Sequence, residues 1–493
     1  MSILIVTNSP EDWPFDVSGV DVVDAWTYLT DPKISQQRGV KVFNLCRRYN
    51  YQSTGYYVSL LAEARGHKPL PSVTTMQDIR SPSLFRLLTE DLDELIQSSL
   101  APLQSDEFTL SVYFGGNTAK RYDRLSLQLF NLFQAPLLRF RFVKTDHGWQ
   151  LRSVKTIGVS EVPETHRRFL TEAAKRYFAG RATSPKKKSR TRFDMAILHD
   201  PQEKENSPSD EVALRKFIKA AKDLEIRAEL ITKDDYGRVL EFDSLFIRET
   251  TFVNEHTYRF ARKAASEGLV VIDDPDSISR CTNKVFLAEL LTRHKVAVPD
   301  TIVVHRNNHQ QLIERLGMPC VLKKPDSAFS SGVVKVKSKE ELNERLDEFF
   351  GKSDLLIAQK YLPTSFDWRI GVLDGRALFA CRYYMAPGHW QVIKQEEHGR
   401  GRYGKHETLP VETAPRQAVK LAIKAANLIG DGLYGVDIKE SEGKFYVIEI
   451  NDNPNIDAGV EDMVLRDELY RRVMEVFLKR MEERRQAGGF SRR

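Results

Sequence analysis

The stretch GVDIKESEGKFYVIEINDNPN, residues 435–455, decides how the chain is read. Residues 436–438 form a short apolar run around Asp437. Ser441, Glu442 and Gly443 are turn formers, and residues 445–450 return as a second apolar run around Glu449. Hairpin pairing brings Asp437 and Glu449 near each other. Asn451, two residues on, shares the face of Glu449, because side chains alternate along a strand. Two neighbouring carboxylates in a half-buried sheet repel, and one is driven to protonate. A hard cation removes that conflict, and magnesium takes such oxygen ligands while water and phosphate complete its octahedron. The competing reading is an exposed hairpin face with Glu449 paired to a Lys or Arg; the apolar flanks favour the metal. By the same alternation Asp452 faces away, and Asn453 and Asn455 shape the turn around Pro454.

Three upstream pieces share this register of charge and small residues. In NKVFLAELLTRHKVAVPDTIVV, residues 283–304, a helix starts at Asn283 with Lys284 in its first turn. The helix dipole disfavours a cation there, so Lys284 either points away as surface charge or balances an anion. In CVLKKPDSAFSSGVVKV, residues 320–336, a strand runs into Lys323 and then a loop containing Ser327, Ala328, Ser330, Ser331 and Gly332. Backbone N–H groups and hydroxyls in such a tip can approach phosphate oxygens, and Lys323 adds a point charge. In LLIAQKYLPTSFDWRIGVLDGRALFACRYYM, residues 355–385, a strand ends in Gln359, Lys360, Tyr361 and Leu362. Asp367 and Arg369 then share one strand face, Asp374-Gly375 turns the chain, and Arg382 lies on the returning strand. A satisfied salt bridge is the plain alternative for the Asp-x-Arg pair.

The order of these pieces resembles the ATP-grasp superfamily, most closely the RimK-type carboxylate–amine ligases, over roughly residues 193–479. The resemblance implies that Lys284 and Lys323 contact ATP phosphates and that Ser330, Ser331 and Gly332 close over them. Gln359, Lys360, Tyr361 and Leu362 form the adenine hinge, with Asp367 near ribose. Asp437, Glu449 and Asn451 bind two magnesium ions, for which manganese can substitute. Arg369 and Arg382 are the catalytic pair, facing the transferred phosphoryl group and the tetrahedral intermediate. Position 359 is Gln where many members carry Glu, and Asn455 stands where Gly is commoner. Residues 386–408 lack the Arg-Ser-Asn of the ribosomal-protein ligase but carry His389, Trp390, Lys394, His398, Arg400, Arg402 and His406. A polar loop of that kind suits an acidic acceptor.

Composition agrees with a globular chain: 493 residues, 41% hydrophobic and 29% charged, net charge +6. The four cysteines are far apart and form no CxxC pair, which argues against zinc and against a disulfide scaffold. The first residues, MSILIVTNSPEDWP, lack the basic flank and long apolar core of a signal peptide. No uninterrupted apolar run approaches membrane-spanning length. A cytoplasmic homo-oligomer is expected, with no membrane or nucleic-acid partner. RATSPKKKSRTR, residues 181–192, reads better as a solvated linker than as a nucleic-acid contact.

The expected architecture is α/β (α+β): an N-terminal accessory domain over 1–180, the basic linker 181–192, a small parallel α/β domain over 193–280, the ATP-grasp domain over 281–480, and a disordered tail over 481–493. In the first of these, residues 3–6 and 40–45 read as strands, 55–65 as a helix capped by Ser53 and Thr54, and 138–154 as a hairpin. RRYNYQSTGYY, residues 47–57, offers either an anion site at a helix start or packed tyrosines. Arg248, Glu249, Thr250 and Thr251, at a strand exit in 193–280, either supply substrate contacts or support the fold. The expected activity is ATP-dependent amide formation through an acyl phosphate, adding an amino acid such as glutamate to a peptide or protein. The alternatives are a small-peptide ligase like glutathione synthetase and a non-catalytic ATP-binding regulator.

Overall fold

A computed structural model describes residues 2–15, 17, 19–37, 39–80, 89, 92–146, 148–178, 191–203, 207–306, 308–326, 332–395 and 401–488. The chain divides into two compact units. One comprises Met1–Arg192, Asp234–Glu241 and Arg485–Arg493; the other comprises Phe193–Lys233 and Phe242–Arg484.

The first unit contains a parallel sheet in the order β2-β1-β3-β4, from β1 (Ser2–Thr7), β2 (Val20–Asp24), β3 (Val40–Asn44) and β4 (Lys68–Leu70). An antiparallel sheet follows, from β5 (Glu107–Tyr113), β6 (Leu137–Thr145) and β7 (Gly148–Thr156). The last two form the expected hairpin, closing on the pair Thr145–Gly148. Phenylalanines at alternate positions of β6, Phe140 and Phe142, are fully buried beside Leu110, Val112 and Phe133. Helix Thr54–Ala64 starts at Ser53, whose hydroxyl accepts from the Tyr56 N–H. Before it, Tyr49 is buried and donates to the Asn44 carbonyl, and Arg47 pairs with Asp12 at 2.6 Å. Those two residues of the 47–57 stretch therefore serve packing and local pairing.

The second unit opens with β8 (Phe193–Leu198), β9 (Ile226–Ile231), β10 (Ser244–Ile247) and β11 (Val270–Ile272), an all-parallel sheet ordered β11-β10-β8-β9. β8, β10 and β11 are buried along their whole length, as strands covered on both faces are, whereas the edge strand β9 is buried only at Ile226 and Ile231. Phe217 and Phe246 pack there with Tyr470 and Phe477 of the final helix, at centroid distances of 4.7–5.3 Å. Burying such a ring contributes about 1.5–3 kcal/mol. That helix runs Asp467–Gly488, so it continues past position 480, where the sequence reading placed a disordered tail.

Two antiparallel sheets follow. One is ordered β12-β15-β13-β14, from β12 (Thr301–Val304), β13 (Cys320–Lys323), β14 (Val333–Val336) and β15 (Leu356–Lys360). The other is ordered β20-β17-β16-β21-β22, with β16 (Phe366–Leu373), β17 (Arg376–Tyr384), β20 (His406–Leu409), β21 (Leu433–Ser441) and β22 (Lys444–Asp452). A ribbon of β18 (Ile393–Gln395) and β19 (Gly401–Tyr403) lies between β17 and β20 in sequence. Helix Arg416–Ile429 covers the larger sheet through a stripe of buried alanines, Ala418, Ala422, Ala425 and Ala426. The basic stretch 181–190 lies outside the described residues. Among the described residues, no helix is long and apolar enough to cross a membrane.

Candidate active site

Asp437 and Glu449 are directly opposed across β21 and β22, and the reason is a bulge. From the turn outward the hairpin pairs Ser441 with Lys444 and Ile438 with Val447. Uninterrupted pairing would then set Ile448 against Asp437 and turn Glu449 to the other face. The register slips by one residue between Asp437 and Ile438, leaving Ile448 as the extra residue and Glu449 opposite Asp437. Asn451 then falls opposite Gly435, and its Nδ2 lies 3.2 Å from Asp437 Oδ2.

Positive charge converges on this face. Asn283 caps helix Lys284–Arg293 by accepting from the Val285 and Phe286 N–H groups, both at 3.0 Å. The Lys284 N–H donates to the Pro325 carbonyl at 3.0 Å, which ties the helix start to the exit of β13. Lys284 is buried, and its Nζ lies 2.8 Å from Glu449 Oε1, so of the two sequence-based options it balances an anion. Lys323, also buried, reaches to 3.5 Å from the carbonyl of Ile448, the bulged residue. Burial pulls the Lys323 ammonium down to about 8, against the attraction of Glu449. Burial opposes charge on Glu449 as well, but Lys284 and Lys323 outweigh it and hold the carboxyl below its usual range.

Arg369, opposite Asp437 on β16, grips that carboxylate with two bonds of 2.7 Å. Asp367 on the same face takes Lys439 Nζ at 2.6 Å and the Thr364 hydroxyl at 3.1 Å. Burial raises its carboxyl and Lys439 partly offsets that. The cross-strand salt bridges are therefore real, and they line a cavity. Lys439 escaped the sequence reading, although it lies two residues beyond Asp437 and alternation alone assigns it to this face.

A cavity of about 530 Å³ is lined by Lys284, Lys323, Gln359, Lys360, Tyr361, Leu362, Asp367, Arg369, Asp437, Glu449 and Asn451. Gln359 donates to the Thr301 hydroxyl at 3.0 Å, and Tyr361 meets Trp390 edge-on at 5.9 Å. Lys335 lies 4.6 Å from the Tyr361 ring centroid, over its face. The same cavity is also lined by Pro208, Thr250, Thr251, Phe252, Tyr383, His406, Asp457, Val460 and Glu461. Gly332 sits at the base of the β13–β14 hairpin with φ +74°, and its carbonyl accepts from the Lys324 N–H at 2.9 Å. Ser330 and Ser331 lie outside the described residues, as do His398 and Arg400 and the side chains of Lys394 and Arg402.

Arg382 is a correction. It is on β17 opposite Trp368, on the reverse face of the sheet from Asp367 and Arg369, and it does not line the cavity. Its guanidinium lies over Trp368 at 4.6 Å and Phe366 at 5.1 Å and pairs with Glu407 at 3.2 Å. Arg382→Ala is expected to lower stability by about 1 kcal/mol through lost stacking and to leave turnover within about threefold of wild type. Denaturant midpoints and initial rates check both.

The strand-exit stretch also sorts itself. Arg248 is fully buried and supports the fold, and Glu249 bonds to His256. Thr250 and Thr251 do line the cavity, and the Thr251 hydroxyl donates to Asp452 at 2.7 Å.

Among the described residues, no three His, Cys, Asp or Glu side chains gather as a ready-made metal site. The opposed set is two carboxylates and an amide. Its chemistry fits a hard cation that takes its remaining ligands from water and phosphate.

Two facing sheets with lysines on one side and a carboxylate hairpin on the other define an ATP-grasp protein. Residues 25–173 match the RimK-like ATPgrasp N-terminal domain, and residues 281–466 match the RimK-like ATP-grasp domain. The chain belongs to the RimK-like ATP-grasp family. A relative from Alcanivorax borkumensis, named a probable alpha-L-glutamate ligase, is 26% identical over 236 residues, 47% of this chain and 75% of that protein. One of the same name from Stutzerimonas stutzeri is 25% identical over 236 residues, with the same coverage of 47% and 75%. Among solved structures, the D-alanine–D-alanine ligase of Bacillus anthracis is similar over 60% of this chain and 100% of that one, at 16% identity and a TM-score of 0.47.

Proposed function

We propose that the protein joins a carboxylate to an amine through an acyl phosphate formed from ATP, with glutamate, free or at the end of a peptide or protein, as one partner. The observation that carries this reading is the bulged hairpin, which sets Glu449 opposite Asp437 beneath two buried lysines. Relatives named probable alpha-L-glutamate ligases support the choice of glutamate.

In this reading Lys284 and Lys323 hold the ATP phosphates, and the segment with Ser330, Ser331 and Gly332 covers them. Gln359 to Leu362 hold adenine, and Asp367 lies by ribose. Asp437, Glu449 and Asn451 hold magnesium, which when bound neutralises charge on the transferred phosphoryl group. Arg369, held by Asp437, faces the acyl centre as the oxyanion forms. Walls on both sides exclude water, which would otherwise hydrolyse an acyl phosphate.

The test is incubation of the full chain with ATP, magnesium and L-glutamate, alone and with each amino acid or short glutamate-ended peptides. Expected are ADP release and a product whose mass is the sum of two substrates less water. Tight ATP binding with no ADP release across the whole set would remove the reading.

A further inference from the structure

The cavity lining contains a pair of groups that the roles above leave unused. Tyr383 is on β17 directly opposite Asp367, and its ring faces the Arg369 guanidinium at 5.2 Å. Its hydroxyl donates to Glu461 Oε1, while the Asp457 N–H donates to Glu461 Oε2 at 2.7 Å. Glu461 and Tyr383 both line the cavity, but Glu461 is only 1% exposed whereas Tyr383 is partly open, so Tyr383 is the more accessible of the two. The turn that carries Glu461 is fixed on both sides. The Thr408 hydroxyl donates to the Val460 carbonyl at 2.7 Å, and the Asp210 N–H donates to Asp457 at 2.8 Å.

A phenol that donates its one proton to a carboxylate keeps its lone pairs for a donor arriving from the cavity. Burial pushes the Glu461 carboxyl up to about 7, against the hydrogen bonds from Asp457 and Tyr383. It can therefore take and release a proton near neutrality, where general bases work best. Burial holds the Tyr383 phenol well above its usual value, so it relays a proton and does not store one as phenolate.

We infer that Tyr383 accepts the proton of the attacking amine and passes its own to Glu461, making this pair the proton exit of the amide-forming step. The inference rests on the ligase reading above. The amine nitrogen bonds to the acyl carbon, and the carbonyl π pair moves to oxygen. The nitrogen's surplus proton goes to the Tyr383 oxygen as the phenol proton moves to Glu461. The carbonyl re-forms, the carbon–oxygen bond to phosphate breaks, and phosphate leaves with that pair. Glu461 later returns its proton to water. Tyr383 touches the amine, and Glu461 acts through it.

The probes are hydroxylamine, which captures an acyl phosphate without needing a base at neutral pH, and glycine, which does need one. Wild type, Tyr383→Phe and Glu461→Gln are compared with ATP, magnesium and L-glutamate as the carboxylate source. Both variants are expected to lower the ratio of glycine amide to hydroxamate by about 100-fold. The wild-type advantage over Glu461→Gln in amide formation is largest above about pH 8 and shrinks as pH falls through about 7, where Glu461 takes up its proton. Charged and titratable groups around that carboxyl are Asp457 from its own turn, Tyr383 and Cys381 from β17, Arg369 from β16, Arg248 from β10 and Tyr470 from the final helix. An unchanged ratio in either variant overturns the inference and leaves Tyr383–Glu461 as an anchor for the turn. Wild-type protein that forms neither hydroxamate nor amide with any amino acid overturns the ligase reading and this inference together.

Discussion

Glu449→Gln is expected to lower ligation turnover by about 10³-fold, roughly 4 kcal/mol of transition-state stabilisation, while ATP binding persists. The asymmetry follows from what the carboxylate faces. Glu449 neutralises Lys284 at 2.8 Å and supports the charge on Lys323, and both lysines are only 7% exposed. An amide in its place removes the carboxylate charge that both buried ammonium groups face. Phosphate oxygens can supply that charge, so the nucleotide still binds, but the position that would hold the metal over the reacting phosphorus is lost. The pH dependence has a definite sign. Lys323 carries its charge below about 8 and loses it as pH rises through that value. Removing Glu449 takes away attraction that raised the lysine, so its charge is lost at a lower pH still. Calorimetric titration with ATP between about pH 6 and 9 should therefore show affinity falling earlier in the variant than in wild type. Turnover within tenfold of wild type would sink the assignment of Glu449 to the metal.

Two hairpins show how far the sequence could be read and where it stopped. The face shared by Glu449 and Asn451 follows from alternation along one strand, and the structure keeps it. Pairing between strands depends on register, and both hairpins slip by one. In β21–β22 the extra residue, Ile448, brings Glu449 onto the face of Asp437. In β16–β17 the slip between Gly371 and Val372 leaves Leu378 as the extra residue. Counting straight from the Asp374-Gly375 turn would set Arg382 against Asp367; the bulge sets Tyr383 there instead and sends Arg382 to the reverse face. The second slip is locked by packing. A Cβ on Gly371 would lie 2.3 Å from the Phe379 ring, so only glycine lets that ring cross the strand. Neither bulge has a local signature strong enough to be read from composition, because each depends on tertiary packing of apolar neighbours. Arg248 illustrates the other limit. A lone arginine at a strand exit could face substrate or core, and only its neighbours, Ser209 39 residues away and Asn453 205 residues away in sequence, decide it.

Arg248→Leu is expected to destabilise the protein by about 3–5 kcal/mol, the range for removing one partner from a buried charged network. The guanidinium is fully buried over the Phe246 ring at 5.3 Å. It donates to the Ser209 hydroxyl at 3.0 and 2.9 Å, to Asn453 Oδ1 at 2.6 Å, to the Pro454 carbonyl at 2.8 Å, and to the Pro208 carbonyl. Burial draws its pKa down to about 10, against the attraction of Asp457, Asp273 and Glu461. Leucine fills part of the space but removes the donor to Asn453 Oδ1 and the Pro454 carbonyl, each worth about 1–3 kcal/mol when unsatisfied, while the Pro208 carbonyl and the Ser209 hydroxyl keep their bonds to Ile456. Arg248→Lys keeps the charge but cannot fork to four acceptors in one plane, so it should recover only part of the loss. The network also fixes the chain directly after Asn451, from Asn453 to Ile456, whose N–H donates to the Pro208 carbonyl at 2.8 Å. Slackening there moves Asn451 on one side and the turn with Glu461 on the other. Turnover should therefore drop in Arg248→Lys even where denaturation curves show the variant fully folded. Urea unfolding with a common slope measures the first effect and initial rates below the transition measure the second. A Leu variant within about 1 kcal/mol of wild type would mean that Asn453 Oδ1 and the Pro454 carbonyl find other donors without this arginine.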